Sequence, residues 1–362
     1  MVQIINTQAY GQRVMTPSVS IIIPCRNEEK YIDECLKSVI NNDYNKEQIE
    51  VLVVDGMSED KTRKIVQRYC RQYPFVRLFE NHGRIIPLAM NIGIRNSSGE
   101  IIMKIDSHSI YTPDYISKCV RFLSEYDADN VGGVLTTLPQ KDTPLGWAIV
   151  KAITSPFGVG NSRFRIGEKE PIWADTAYSG CYRRDVFDRI GLYDEKIARS
   201  EDVAINSRLR KKGGKILLVP EIVTSYYARS DYFDFVKHNF DNGYWITYPL
   251  IFGQLLFSWR HIVPLFFVVA MTVAACITLF TGSGMLRFIP ILAVCAPYAV
   301  ANIYFSVLTA WIKKDFKLLL LMPVIFATLH IVYGVGSIWG LSRVFASCAV
   351  SIFNGRVYSH GD

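Results

Sequence analysis

Asp106-Ser107-His108 directly follows the apolar run Ile101-Ile102-Met103-Lys104-Ile105. A run of that composition reads as a buried strand, so a carboxylate and an imidazole arrive together at its C-terminal tip. Residues two apart on an extended chain point to the same side. A carboxylate oxygen and a ring nitrogen can then hold one divalent cation and leave positions open for substrate phosphates, as Mg²⁺ and Mn²⁺ sites usually do. Two more acids stand at Ser200-Glu201-Asp202, and Asp55 closes the apolar run Ile49 to Val54. Each has a plain rival. Asp55-Gly56 is also a turn pair, and a serine before two acids is also a helix start. Neither G-x-x-x-x-G-K-[ST] nor a G-x-G-x-x-G after the first strand is present, so a nucleotide must be held by another route. Asp55 could accept from a base imide or a ribose, with a metal bridging the phosphates.

These residues need a scaffold, and the apolar pattern supplies one. Val19 to Ile23 reads as a strand stopped by Pro24. Helical spacing follows from Glu29 to Ile40, with Ile32, Leu36 and Val39 on one face. A buried strand Ile49–Val54, a helix Asp60–Tyr73, a strand Val76–Phe79, a helix from Pro87 to Arg95 and the strand Ile101–Ile105 come next. This alternation predicts an α/β domain with a mostly parallel, Rossmann-like sheet flanked by helices. Ligands bind such sheets beyond the carboxyl ends of the strands, where Pro24, Asp55 and Asp106 all fall. Further on, a helix to Tyr126, a short strand Gly132–Val134, a helix Arg184–Ile190, a helix carrying Val203, Ile205 and Leu209, and a strand Lys215–Val219 are expected. Residues 139–172 show little periodicity and read as a long mobile loop containing Arg163 and Arg165.

The end of the chain has a different composition. Half of all residues are hydrophobic and mean hydropathy is +0.16. Three uncharged runs, 262–280, 288–312 and 318–341, each suffice for the roughly 20 residues of a membrane span. Lys313, Lys314 and Lys317 lie between the second and third runs, Lys237 and Arg260 precede the first, and Arg287 stands between the first and second. The positive-inside bias then places residues 1–243 and the 313–317 turn in the cytoplasm, with a multi-pass anchor in the plasma membrane and the C-terminus outside. The organisation expected is a domain at 1–243, an in-plane aromatic segment at 244–260, three spans within 261–345 and a tail at 346–362. Met1 to Pro17 lacks the basic, apolar and small-residue pattern of a signal peptide. His330, inside the third run, reads as a helix–helix contact. The net charge of +7 suits anionic headgroups or phosphorylated ligands, and no nucleic-acid partner is expected. Eight scattered cysteines, among them Cys35, Cys119, Cys181 and Cys348 on apolar faces, argue for reduced thiols rather than a disulfide framework.

Four segments together carry a resemblance: Ser20-Ile21-Ile22-Ile23-Pro24-Cys25-Arg26-Asn27-Glu28, Val53-Val54-Asp55-Gly56-Met57-Ser58-Glu59-Asp60-Lys61-Thr62, Ile105-Asp106-Ser107-His108, and Ser200-Glu201-Asp202 continuing to Leu209. Over residues 18 to 245 the chain resembles a family 2 glycosyltransferase of the GT-A fold. The apolar tail and Ser179-Gly180-Cys181-Tyr182-Arg183-Arg184 are similar to membrane-anchored bacterial exopolysaccharide transferases of the succinoglycan type. The resemblance implies that Pro24, Arg26 and Glu28 line a nucleobase pocket and that Asp55 meets the uracil or ribose. It implies that Asp106 and His108 replace the commoner D-x-D metal motif, that Asp202 is the catalytic base and that Glu201 orients it. The cofactor implied is Mn²⁺ or Mg²⁺, the donor a UDP-sugar, the acceptor a lipid-linked saccharide, and the transfer inverting. Arg163 or Arg165 could help the departing phosphates. Asn239 to Trp245 lacks the Q-x-x-R-W signature of processive synthases, which points to the addition of one or a few sugars. A polyprenyl-phosphate sugar synthase and a non-catalytic membrane scaffold are the competing readings, and oligomeric state is open.

Overall fold

The structure, a computed structural model, describes residues 16–256, 258–281 and 284–353. Residues 1–15, which hold most of the stretch read for a signal peptide, and residues 354–362 of the expected tail lie outside the described residues.

Four strands form the first half of one mixed sheet: β1 (Val19–Cys25), β2 (Ile49–Asp55), β3 (Val76–Glu80) and β4 (Ile101–Lys104), linked by helices α1 (Ile32–Ile40), α2 (Thr62–Gln72) and α3 (Ile86–Arg95). They pair in parallel in the order β3-β2-β1-β4. β1 and β4 are buried along their whole length, and β2 nearly so, which is why they read as unbroken apolar runs rather than alternating ones. Their side chains feed two cores. Ile21, Ile23, Val51, Val53 and Met103 pack on one face, Ile22, Leu52, Val54 and Ile102 on the other. The two faces alternate along each strand as the pleat requires.

The second half departs from the simple parallel pattern. After β5 (Ser109–Tyr111) and α4 (Tyr115–Glu125), β6 (Asn130–Pro139) runs for ten residues, well beyond the expected Gly132–Val134. Residues 139–172 are not one long loop. They hold α5 (Pro144–Ile153), α6 (Pro156–Val159) and α7 (Arg163–Ile166), and β7 (Ile172–Trp173) follows at once. β8 (Tyr178–Arg183) inserts antiparallel between β4 and β6. Beyond α8 (Asp185–Ile190) and α9 (Glu201–Lys211), β9 (Ile216–Ala228) pairs parallel to β6 and antiparallel to β5 and β7. β9 continues through Pro220, where the register with β6 jumps from Gly133↔Val219 to Val134↔Val223. A bulge absorbs the proline that would otherwise end a strand.

α10 (Tyr232–Thr247) takes in the start of the segment expected to lie in the membrane plane, and a 3₁₀ turn covers Tyr248–Phe252. Three helices follow: α11 (Trp259–Phe280), α12 (Ile289–Lys313) and α13 (Lys317–Phe353). All three are long and apolar enough to cross a membrane. Phe266, Leu279, Leu292, Val300, Trp311 and Leu320 stand exposed on them, as a lipid-facing surface requires. α13 continues to Phe353, past the expected end at 341. Cys348 on it is exposed, unlike the buried Cys35, Cys119 and Cys181, and all eight cysteines are free thiols.

Small residues dock the α/β domain onto α13. A Cβ on Gly243 of α10 would fall 2.0 Å from the Tyr333 carbonyl oxygen, and one on Gly336 would fall 2.2 Å from that of Phe240. Thr247 Oγ1 donates to the Ser337 carbonyl at 2.9 Å. Two backbones lie this close only where no side chain intervenes. A second contact is made by α5, whose Ala148, Ile149 and Ala152 pack among Met322, Phe326 and Leu329. The carbonyl of Phe157 accepts from His330 Nε2 at 2.9 Å while Tyr298 donates to His330 Nδ1 at 2.9 Å. His330 therefore serves helix packing, as expected from its place in an apolar run.

Candidate active site

The acids gather through a buried lysine. Lys104, the last residue of β4, is almost wholly buried between strand and helix, and its ammonium lies 2.8 Å from Glu201 Oε1 and 2.7 Å from Asp202 Oδ2. Asp106 Oδ1 is 4.0 Å away. A buried cation is tolerated only when paired, and three carboxylates around one ammonium meet that need. The first turn of α9 is thus fixed to the sheet tip from beneath. Ser200 contributes no capping hydrogen bond and sits in the left-handed region at φ 63°. The acids at 201 and 202 are accordingly held by Lys104 and not by a serine cap.

Asp202 Oδ1 has no hydrogen-bond partner among the described residues, although it is shielded from solvent. Burial, reinforced by the neighbouring Glu201 and Asp106, pushes the Asp202 carboxyl up to about 7 against the pull of Lys104. A carboxylate in that range with a free oxygen is matched to accepting a proton near neutral pH.

The sheet also fixes the Asp106/His108 pair. The Asp106 amide donates to the Tyr111 hydroxyl at 2.9 Å, and Cys35 Sγ lies 3.5 Å from the Asp106 carbonyl. Burial opposes charge on Asp106, but Lys104, His108 and Tyr178 outweigh it and hold the carboxyl below its usual range. His108 Nδ1 stands 3.4 Å from Glu28 Oε1, and its ring meets Tyr226 edge-on at 5.4 Å. Burial disfavours the imidazolium, yet Glu28 and Asp106 raise His108 above its ordinary value. Among the described residues no group of three or more His, Cys, Asp or Glu side chains could hold a metal. Asp106 and His108 thus fit a cation shared with ligand phosphates, and do not form a closed protein cage.

Asp106, His108, Glu28, Glu201 and Asp202 all line one cavity of about 770 Å³. Its other walls come from α10, from the start of α11 through Arg260 and Pro264, and from the middle of α13 through Leu329 and Tyr333. Arg165 lines it as well, whereas Arg163 turns away and pairs with Glu168 at 2.6 Å. Pro24, Arg26 and Asp55 are not among its walls. Asp55 is fully buried, with Oδ2 taking the Ser58 amide at 3.1 Å and Arg63 at 3.2 Å, and Oδ1 taking the Ser58 hydroxyl. It stands beside Cys25 at the shared carboxyl edge of β1 and β2. Arg26 is exposed on the same edge. Sequence reasoning gave Lys104 no role. The signal was there: a lone lysine in a strand covered on both faces demands a carboxylate partner.

Residues 20–191 match the family described as Glycosyl transferase family 2. A Methanococcus voltae protein, named dolichyl N-acetyl-alpha-D-glucosaminyl phosphate 3-beta-D-2,3-diacetamido-2,3-dideoxy-beta-D-glucuronosyltransferase, is 30% identical over 62% of this chain and 71% of its own. The chain belongs to glycosyl transferase family 2. The transferase is also 28% identical to the succinoglycan biosynthesis protein ExoA of Rhizobium meliloti (strain 1021), over 74% of this chain and 86% of that one. Among solved structures, S. aureus TarS 1–349 is 16% identical with a TM-score of 0.47, covering 94% of this chain and 93% of that one. The mannosyltransferase PcManGT from Pyrobaculum calidifontis, solved with GDP-Man and Mn²⁺, is 18% identical with a TM-score of 0.48, covering 94% and 81%. The transferase has the GT-A fold that the resemblance implied, with a mixed sheet where a mostly parallel one was expected, flanked by helices and followed by apolar helices. Glu201 and Asp202 lie beyond the segment that matches the family, so their placement rests on the geometry around Lys104.

Proposed function

We propose that this transferase moves a sugar, with inversion, from a UDP-sugar to a lipid-linked saccharide at the cytoplasmic face of the membrane. One observation carries the reading: Asp202 and the Asp106/His108 pair line a single cavity that is also lined by residues of the membrane-length helices α11 and α13. The two curated relatives fit it, since one is named for a dolichyl-linked glycosyl phosphate and the other for succinoglycan biosynthesis.

Inversion needs a base on the side of the sugar opposite the leaving group. The Asp202 carboxylate accepts the proton of the acceptor hydroxyl as that oxygen attacks the anomeric carbon and the bond from that carbon to the diphosphate oxygen breaks. Lys104 keeps the carboxylate aimed and partly offsets its charge until the proton arrives. Glu201 shares the ammonium, which fixes the lysine in place. Arg26, exposed at the edge of β1 and β2, and Glu28 beside His108 hold the base and ribose, with the buried Pro24 and Asp55 shaping that edge from behind. Asp106 and His108 would hold a divalent cation, Mn²⁺ or Mg²⁺, which would supply neutralising charge for the departing diphosphate. Purified membranes incubated with labelled UDP-sugars and either cation, then extracted for lipid, test the reading. Label in the lipid fraction that disappears on chelation is expected. Label only in free sugar, or none with any donor, contradicts it.

A further inference from the structure

The cavity has a second charged region that the proposed chemistry leaves unused. His238 of α10 lies between two arginines: Arg199 Nη2 is 2.6 Å from its Nδ1 and Arg229 Nη1 is 2.7 Å from the same atom. Guanidinium groups only donate, so Nδ1 carries the lone pair and the ring is neutral. Burial and the two arginines keep it so, holding His238 well below its ordinary value. Two permanent cations thus converge on one nitrogen. Arg199 also meets Asp241 at 3.3 Å and Asn242 at 2.9 Å. Asp234, one turn before His238, lines the cavity too. Arg229 has no carboxylate partner among the described residues. Neither has Arg165, whose Nη1 is shielded from solvent without any hydrogen-bond partner while its guanidinium lies over Phe164 and Tyr226. Forked donors left unpaired around a cavity match the oxygens of a phosphate.

We propose that Arg165, Arg199 and Arg229, gathered about His238 and adjoining His108 across the Tyr226 ring, form a phosphate site that takes the phosphate ester carrying the lipid-linked acceptor and not the donor phosphates. The inference rests on the lipid-linked acceptor reading above. Its direction follows from the walls. Next to the cluster the cavity runs onto Pro264 of α11 and Leu329 and Tyr333 of α13, an apolar continuation for a polyprenyl tail. Arg199 stands immediately before Ser200-Glu201-Asp202 in the chain. A phosphate held there would leave the acceptor's sugar to reach the base.

The test is calorimetric titration of the full-length transferase in detergent with two probes, farnesyl diphosphate and UDP with Mn²⁺. Arg229→Gln is expected to weaken farnesyl diphosphate roughly tenfold or more while UDP stays within about twofold. Arg229→Lys recovers only part of the loss, because it keeps the charge without the fork. Arg165→Gln should behave as Arg229→Gln does. Arg229 is exposed and its one side-chain hydrogen bond among the described residues is to His238, and intact UDP binding reports that the variant is folded. A loss confined to UDP overturns the acceptor assignment. Unchanged affinity for both probes overturns the phosphate site. Binding is read without turnover, so failure of the labelled-sugar assay in the wild-type protein would count against the reaction and leave this result standing.

Discussion

The two charged ends of the cavity are built differently. The acidic end sits on strand tips and the first turn of α9, with a buried lysine joining Glu201 and Asp202 and approaching Asp106. The basic end sits on the short helix α7, on the residues flanking β9 and α9, and on α10, with long side chains and one exposed arginine. The acidic end is organised before any ligand arrives, which suits groups that must meet a reacting atom at fixed distance. The basic end leaves Arg165 and Arg229 without a carboxylate partner among the described residues, which suits a charged group that arrives with its own oxygens. Reaction geometry and substrate capture are thus assigned to separate parts of one cavity.

Four substitutions would break or sharpen that contrast. Asp202→Asn removes the proton acceptor and should lower turnover by about 10²–10⁴-fold with UDP affinity nearly unchanged, read by steady-state rates and calorimetry. A loss of only a few fold would favour a phosphate acceptor, which needs little deprotonation, and thereby the polyprenyl-phosphate synthase. Lys104→Met leaves buried acids uncompensated. It should cost about 3–5 kcal/mol of stability at neutral pH, seen as a large drop in melting temperature. A variant that melts like the parent would show that the acidic end is not set by the lysine. Gly336→Val forces a side chain against the Phe240 carbonyl and should cost about 1–3 kcal/mol by prising α10 from α13. Its melting curve and its affinity for farnesyl diphosphate should fall together, since α10 carries the basic end. Arg163→Ala, at the exposed pair with Glu168, should alter turnover by less than about twofold and so mark the boundary of the basic end. A tenfold loss there would extend that end to Arg163.

The first half of the sheet was legible because each of β1, β2 and β4 is covered on both faces and ends at Pro24, Asp55 or Asp106. The second half was harder for physical reasons. α5 packs against the α/β domain on one side and α13 on another, so Pro144–Ile153 is apolar nearly all round and shows no helical period. β9 looked finished at Val219 because a proline follows, and only the bulge against β6 carries the strand on to Ala228. Four acidic and imidazole positions around the cavity, Asp106, His108, Glu201 and Asp202, were readable from type and spacing. Lys104 was not singled out, because a charge inside an apolar run was read as part of the run. The basic end was read least, since Arg199, Arg229 and His238 are brought together by tertiary packing alone and share no local pattern.

The close seating of Gly243 and Gly336 has a kinetic consequence. A domain clamped to α13, a helix long and apolar enough to cross a membrane, cannot swing away from that helix to collect cargo from bulk water. On the reaction proposed here, it meets its lipid-borne partner by two-dimensional diffusion, and the governing variable becomes mole fraction within the amphiphile. Adding inert detergent at constant bulk amounts of enzyme and acceptor should then slow the reaction by surface dilution alone.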